Sequence, residues 1–188
     1  MSEAKKALIT PEAILNWPAI FEPKMAPGAT EAKYSCVLIF PEGTDLSALK
    51  AGAMEAFREK WGDKTKGLLE TGRLKSPFRT DAEEKGYPAG STFLTATSKT
   101  PPGVVDRFAG ADGKPKAITD PVELYSGCKV RASISFYAYD TNGNRGVAVG
   151  LRNIQKLGEG QRLDGRKKAE DEFEALEGSP AVMHDDLL

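Results

Sequence analysis

Two tyrosines set two residues apart, Tyr137 and Tyr139, lie in a stretch that alternates between apolar and polar positions. Val130, Ala132, Ile134, Phe136 and Ala138 fall on one face, and Arg131, Ser133, Ser135, Tyr137 and Tyr139 on the other, as the two-residue period of a strand requires. A strand whose inner face is already apolar has no packing need for two tyrosines and an arginine outside. Rings presented in this way can stack on the bases of single-stranded nucleic acid, at about 1–3 kcal/mol per base, while guanidinium groups meet phosphates. Beyond Thr141-Asn142-Gly143-Asn144, a strong hairpin signal, the chain returns through Val147, Val149 and Leu151 and supplies Arg145, Arg152 and Lys156. Ala148 and Gly150 on this return leave the surface open for a flat ring. The same tyrosines would serve equally well under an N-terminal arm or at the seam of a homodimer, because outward aromatics also mark protein contacts. Lys75, Phe78 and Arg79 form a second aromatic and basic cluster on a predicted loop.

Other chemistries find little support. No phosphate-binding G-x-x-x-x-G-K-[ST] loop, no G-x-S-x-G elbow and no dinucleotide fingerprint occur. Two cysteines, Cys36 and Cys128, with the lone His184 cannot complete a zinc site or staple a disulfide scaffold. Asp106, Asp120 and Asp140 each flank an extended segment, so a metal-dependent nuclease stays formally open; aspartates beside turns are more commonly turn formers. The reading is of a binding protein rather than an enzyme, with no cofactor. An interaction protein that uses its tyrosine face for protein contacts is the other alternative.

The elements that must position these residues are mostly β. Lys33–Phe40 is rich in β-branched and aromatic residues and predicts a strand ending at Pro41. Thr44 or Asp45 then caps a helix to about Trp61, with Leu46, Leu49, Ala53, Phe57 and Trp61 at helical spacing and Gly62 as the stop. Residues 91–99 predict a second strand, Val104-Val105 a short one, and residues 109–116 a hairpin tip. The long strand runs from Cys128 to Asp140, and the alternation of its partner fails at Asn153-Ile154, which predicts a bulge or a strand end there. Residues 1–32, with Pro11, Pro18, Pro23 and Pro27, read as a loose arm pinned by Trp17, Ile20 and Phe21. Residues 158–168 read as a hinge. Few strands, many turns and one internal helix suggest an antiparallel β-barrel or sandwich decorated by a helix.

A formal net charge of −1 over 188 residues conceals a division. Residues 1–168 hold all 26 Lys and Arg against 20 Asp and Glu, a formal +6; residues 169–188 hold seven acids and no cation, a formal −7. The chain therefore reads as a basic domain, 1–168, that binds a polyanion, and a flexible acidic tail, 169–188, that can compete for the same surface. No stretch of 18 apolar residues could span a membrane as a helix, and the first residues lack the apolar run of a secretory signal. The expected setting is the cytoplasm.

Tyr125–Ser133, continued by Phe136-Tyr137-Ala138-Tyr139-Asp140, and Gly146–Leu157 resemble a family of tailed-phage single-stranded DNA-binding proteins. Shorter similarities are Tyr34–Pro41 with Gly43-Thr44-Asp45-Leu46, Pro77-Phe78-Arg79 and Pro102–Asp106, so that the resemblance spans roughly residues 33–173. It implies an OB-fold barrel carrying one long inserted helix, which coats single-stranded DNA without sequence preference in phage replication or recombination, within the host cytoplasm. It also implies an acidic tail that recruits replication or recombination proteins; here the tail ends Asp185-Asp186-Leu187-Leu188, acids followed by apolar residues. Phage tails that finish in phenylalanine differ from it in this respect.

Overall fold

The alternating stretch becomes one arm of a long hairpin around which the other strands assemble. The computed structural model describes residues 5–167 and 169–176. In chain order the strands are β1 (Leu8–Ile9), β2 (Ala13–Lys24), β3 (Lys33–Phe40), β4 (Thr92–Ser98), β5 (Gly103–Ala109), β6 (Pro115–Ala117), β7 (Lys129–Thr141) and β8 (Asn144–Gly158). The helices are α1 (Ser47–Trp61), α2 (Thr65–Glu70) and α3 (Ala169–Glu172). β7 and β8 pair from Lys129↔Gly158 to Thr141↔Asn144. Asn142 (φ 50°) and Gly143 (φ 79°) turn the hairpin, the two positive-φ positions of a type I′ turn.

β2, β3 and β4 form an antiparallel meander. β4 pairs in parallel with β8 at Ala96↔Val149 and Thr97↔Gly150, and β7 returns to β2 at Ala13↔Val130 and Ile14↔Lys129. The pairings close the ring β2-β3-β4-β8-β7, five strands as in the expected OB-fold. β1 lies along β7 beyond β2. On the opposite side, Pro101-Pro102 interrupts the chain and β5 resumes along β8, from Gly103↔Asn153 to Val105↔Gln155. The β5–β6 hairpin, tied at its tip by Gly110 N–H to Lys114 O at 2.8 Å, extends the sheet outside the ring.

Val130, Ala132, Ile134 and Phe136 are buried with Val147, Val149 and Leu151, Leu15, Leu38, Phe40 and Leu94, which form one core. Burying each Val, Leu, Ile or Phe side chain among these contributes about 1.5–3 kcal/mol. The Asp45 carboxylate accepts from the N–H and the hydroxyl of Ser47 at 3.0 and 2.6 Å just ahead of α1. The N-cap position is Leu46, so neither Thr44 nor Asp45 caps the helix as expected. The helix buries Leu49, Ala53, Ala56 and Phe57 and ends at Gly62 (φ 54°). Gly52 sets how closely it approaches the sheet: a Cβ there would lie 2.5 Å from Leu8 Cδ1 and 3.3 Å from Phe136.

Two further expectations need correction. Residues 13–24 form the 12-residue β2, with Pro18 and Pro23 inside it, rather than a loose arm. The register of β2 on β3 shifts between Asn16 and Ala19, and proline without an N–H is tolerated at such a bulge. Ile20 is buried and Phe21 packs on the core, but Trp17 pins nothing: its φ is +46° and its indole is 71% exposed. The hinge also begins later than expected. Leu163 N–H donates to Ser126 O at 2.9 Å and Gly160 N–H to Tyr125 Oη at 3.2 Å, so residues 159–163 are fastened to the barrel.

Candidate nucleic-acid interface

The outward face of the β7–β8 hairpin carries the tyrosines, and β8 supplies small residues opposite them. Tyr137 pairs with Ala148, Tyr139 with Gly146 and Ser135 with Gly150. A Cβ on Gly146 would lie 2.9 Å from Tyr139 Oη, and one on Gly150 would lie 3.8 Å from a Tyr137 ring carbon. The Tyr139 hydroxyl therefore reaches toward Gly146, where Lys75 O lies closer still to that Cβ position at 2.5 Å, the Tyr137 ring borders Gly150, and both tyrosines are half-buried. No hydrogen-bonding side chain stands at Gly146, Ala148 or Gly150.

Cations surround this strip. Lys5, which precedes β1, places its ammonium 5.5 Å from the Tyr137 ring centroid. Arg152 donates to Lys5 O at 2.7 Å; because β7 separates the two segments, its guanidinium crosses the outward face of that strand. Arg131 donates to its cross-strand partner Gln155 at 2.7 Å. Arg145 pairs with Asp140 at 3.1 Å with half of its side chain exposed. Lys75 reaches the hairpin through its backbone, donating to Arg145 O at 2.9 Å and accepting from Val147 N–H at 3.2 Å.

The proposed set thus divides. Arg131, Tyr137, Tyr139, Arg145, Arg152 and Lys75 lie on or beside one face. Phe78 is half-buried, its ring 6.0 Å from Phe136 in the core. Arg79 is bonded through its backbone to Phe93 at the start of β4, lies 5.0 Å from that ring and is paired with Asp81. Lys156 departs from the expectation altogether. The register changes between Ser133↔Asn153 and Ile134↔Leu151, which leaves Arg152 as an extra residue. That bulge reverses the parity of everything after it. Lys156 consequently pairs with Val130 on the inner side, is 9% exposed, and donates to Glu123 O and Glu159, each at 2.6 Å. Asp185, Asp186, Leu187, Leu188 and His184 lie outside the described residues.

The sequence reading did not find Lys5, or the exposed pair Arg107 and Phe108 on β5. Lys5 had no signal beyond being basic; Phe108 did, as an aromatic beside Arg107 in a segment with Lys114 and Lys116. Burial pushes the Cys36 thiol up to about 12 and is the main cause raising Cys128, so neither is a ready thiolate. Asp106 accepts from Arg107 N–H, Asp120 caps Val122 N–H, and Asp140 holds Arg145. Among the described residues no three His, Cys, Asp or Glu group together as metal ligands, and no helix is long and apolar enough to cross a membrane.

A family model for the single-stranded DNA-binding protein of Enterobacter phage Enc34 matches residues 6–187. Protein p50 of Acyrthosiphon pisum secondary endosymbiont phage 1 is 34% identical over 174 residues, covering 86% of this chain and 89% of p50. Among solved structures, the single-stranded DNA-binding protein from bacteriophage Enc34 in complex with ssDNA superposes with a TM-score of 0.62 at 18% identity, over 87% of this chain and 96% of that one. The gp2.5 single-stranded DNA-binding protein encoded by bacteriophage T7 superposes with a TM-score of 0.59 at 16% identity, over 95% of this chain and all of that one. At those identities the superpositions establish the fold, mainly β with a long helix.

Proposed function

The chain belongs to the family of the phage Enc34 single-stranded DNA-binding protein, and we propose on that premise that it coats unpaired DNA without sequence preference during phage replication or recombination, in the host cytoplasm. The observation that carries the reading is the pair of half-buried tyrosines, Tyr137 and Tyr139, on the outward side of β7 opposite Ala148 and Gly146, with the Lys5 ammonium 5.5 Å from the Tyr137 ring centroid. Rings lying against a sheet accept bases only from a strand whose bases are free to leave their own stack, which disfavours duplex. Stacking is indifferent to base identity, and small residues opposite the rings offer no base-edge donors or acceptors. Arg131, Arg145, Arg152, Lys75 and Lys5 would take the phosphates.

Changing Tyr137 or Tyr139 to Ala should weaken oligo-dT binding by about 1–3 kcal/mol for each base lost from a ring, with the thermal midpoint little altered. Binding at full strength by both variants would contradict the reading.

The tail, 169–188, is proposed as a competitor for this face and as the recruiter of replication proteins through Asp185-Asp186-Leu187-Leu188. Its root is fixed at Leu163. The 25 residues beyond could span about 80–90 Å fully extended, against about 40–45 Å for the 13 residues of β7, so reach does not limit competition. Deleting residues 169–188 should tighten oligo-dT binding, most at low salt; unchanged affinity would remove the competition and leave the binding face standing.

A further inference from the structure

On the reading that this chain binds single-stranded DNA, we infer that the β5–β6 hairpin is a second base-stacking station, with Phe108 as its platform and Arg107, Lys114 and Lys116 as its cations. Phe108 is 65% exposed. The register of β5 on β6 passes from Val105↔Ala117 to Ala109↔Pro115, so β5 carries two more residues than its partner over this interval. Asp106, Arg107 and Phe108 lie within that bulged stretch, and an aromatic projected there gains nothing for the core. The Arg107 guanidinium lies 5.2 Å from the Phe108 ring centroid and donates to Leu157 O at 3.0 Å. One contact fastens the cation to β8 and the other keeps it beside the ring.

The hairpin is joined to the tyrosine face by bonded neighbours. Arg131 donates to Gln155 at 2.7 Å, and Gln155 donates to Asp106 O at 3.2 Å. Between them lies a cavity of about 290 Å³, whose lining includes Ile9, Val105, Pro115, Arg131, Asn153 and Gln155. Ile9 is 60% exposed, so the cavity has apolar walls as well as polar groups, a surface suited to a base or sugar lying between two stacking stations. A strand leaving Tyr137 would pass Arg131, cross this concavity and meet Phe108. From Ala148, opposite Tyr137, to Gln155, opposite Arg131, β8 covers about 23 Å. Only an oligonucleotide of several residues would therefore engage both stations.

The test compares the full chain with Phe108→Ala and Phe108→Trp on dT oligomers of about 4 and about 16 nucleotides, the range of OB-fold site sizes. Phe108→Ala should weaken the 16-mer by about 5- to 150-fold, as loss of one stacked base predicts, and leave the 4-mer within about twofold. Phe108→Trp should keep the wild-type preference for length. Tyr137→Ala should weaken both oligomers. Undiminished 16-mer binding by Phe108→Ala, with or without a change in oligomeric mass, would overturn this station while leaving the tyrosine face intact. Failure of the unmodified chain to bind either oligomer would overturn the parent reading as well.

Discussion

Tyr125 is held from several sides: its phenol donates to Glu159 and accepts from Gly160 N–H at 3.2 Å, while Arg162 lies 4.3 Å from the ring centroid. Burial, and then the hydrogen bond to Glu159, raise its pKa to about 12. Because a free tyrosine titrates near 10, the folded chain keeps a proton that the unfolded chain has already released. The stability this contributes is complete below about pH 10 and is lost as pH rises through about 12. Urea midpoints measured from pH 9 to 12.5 should fall more steeply for the natural chain than for Tyr125→Phe; parallel curves would contradict this account of the latch. Residue by residue, the outward face of the hairpin was legible wherever alternation held. Arg131, Tyr137 and Tyr139 stand outward as their parity requires, but one extra residue at Arg152 carried Lys156 to the inner side. A two-residue period signals that a bulge exists without saying which following side chains change face. Lys5 approaches Tyr137 from more than 130 positions away in the chain, a distance across which local pattern carries nothing.

The elements were legible in proportion to how local their signals are. β3, the β7–β8 hairpin and α1 each announce themselves within a few residues: a β-branched run closed by Pro41, an Asn-Gly turn, and Asp45 ahead of an apolar stripe that stops at Gly62. β2 was hidden because Pro18 and Pro23 contradict strand propensity, and only the bulge beside Trp17 reconciles them with a sheet. The strain of Trp17 at φ +46° is held by its N–H, which donates to Asn16 Oδ1 at 2.9 Å and Ser126 Oγ at 3.1 Å. Closure depends on β4 meeting β8 in parallel across more than fifty residues, a pairing no short window contains. The β5–β6 tip was visible from its Gly, Asp and Pro content, whereas its attachment to β8, which sets β5 along Asn153–Gln155, was not.

At the scale of the molecule, a formal +6 on residues 1–168 faces a formal −7 on residues 169–188, and the fold fastens the junction at residues 159–163 rather than leaving a long hinge. The proposed phosphate contacts are solvent-facing and should behave as screened, counterion-releasing charges. The most direct measurement is the affinity of the full chain for a labelled oligo-dT across a series of salt concentrations, with unlabelled duplex as competitor. About four to six neutralised phosphates predict log affinity falling against log salt with a slope of about −3 to −4, and the duplex should displace the oligonucleotide poorly. Equal displacement by duplex, or no salt-sensitive binding of oligo-dT at all, would contradict the proposal that this face receives unpaired DNA.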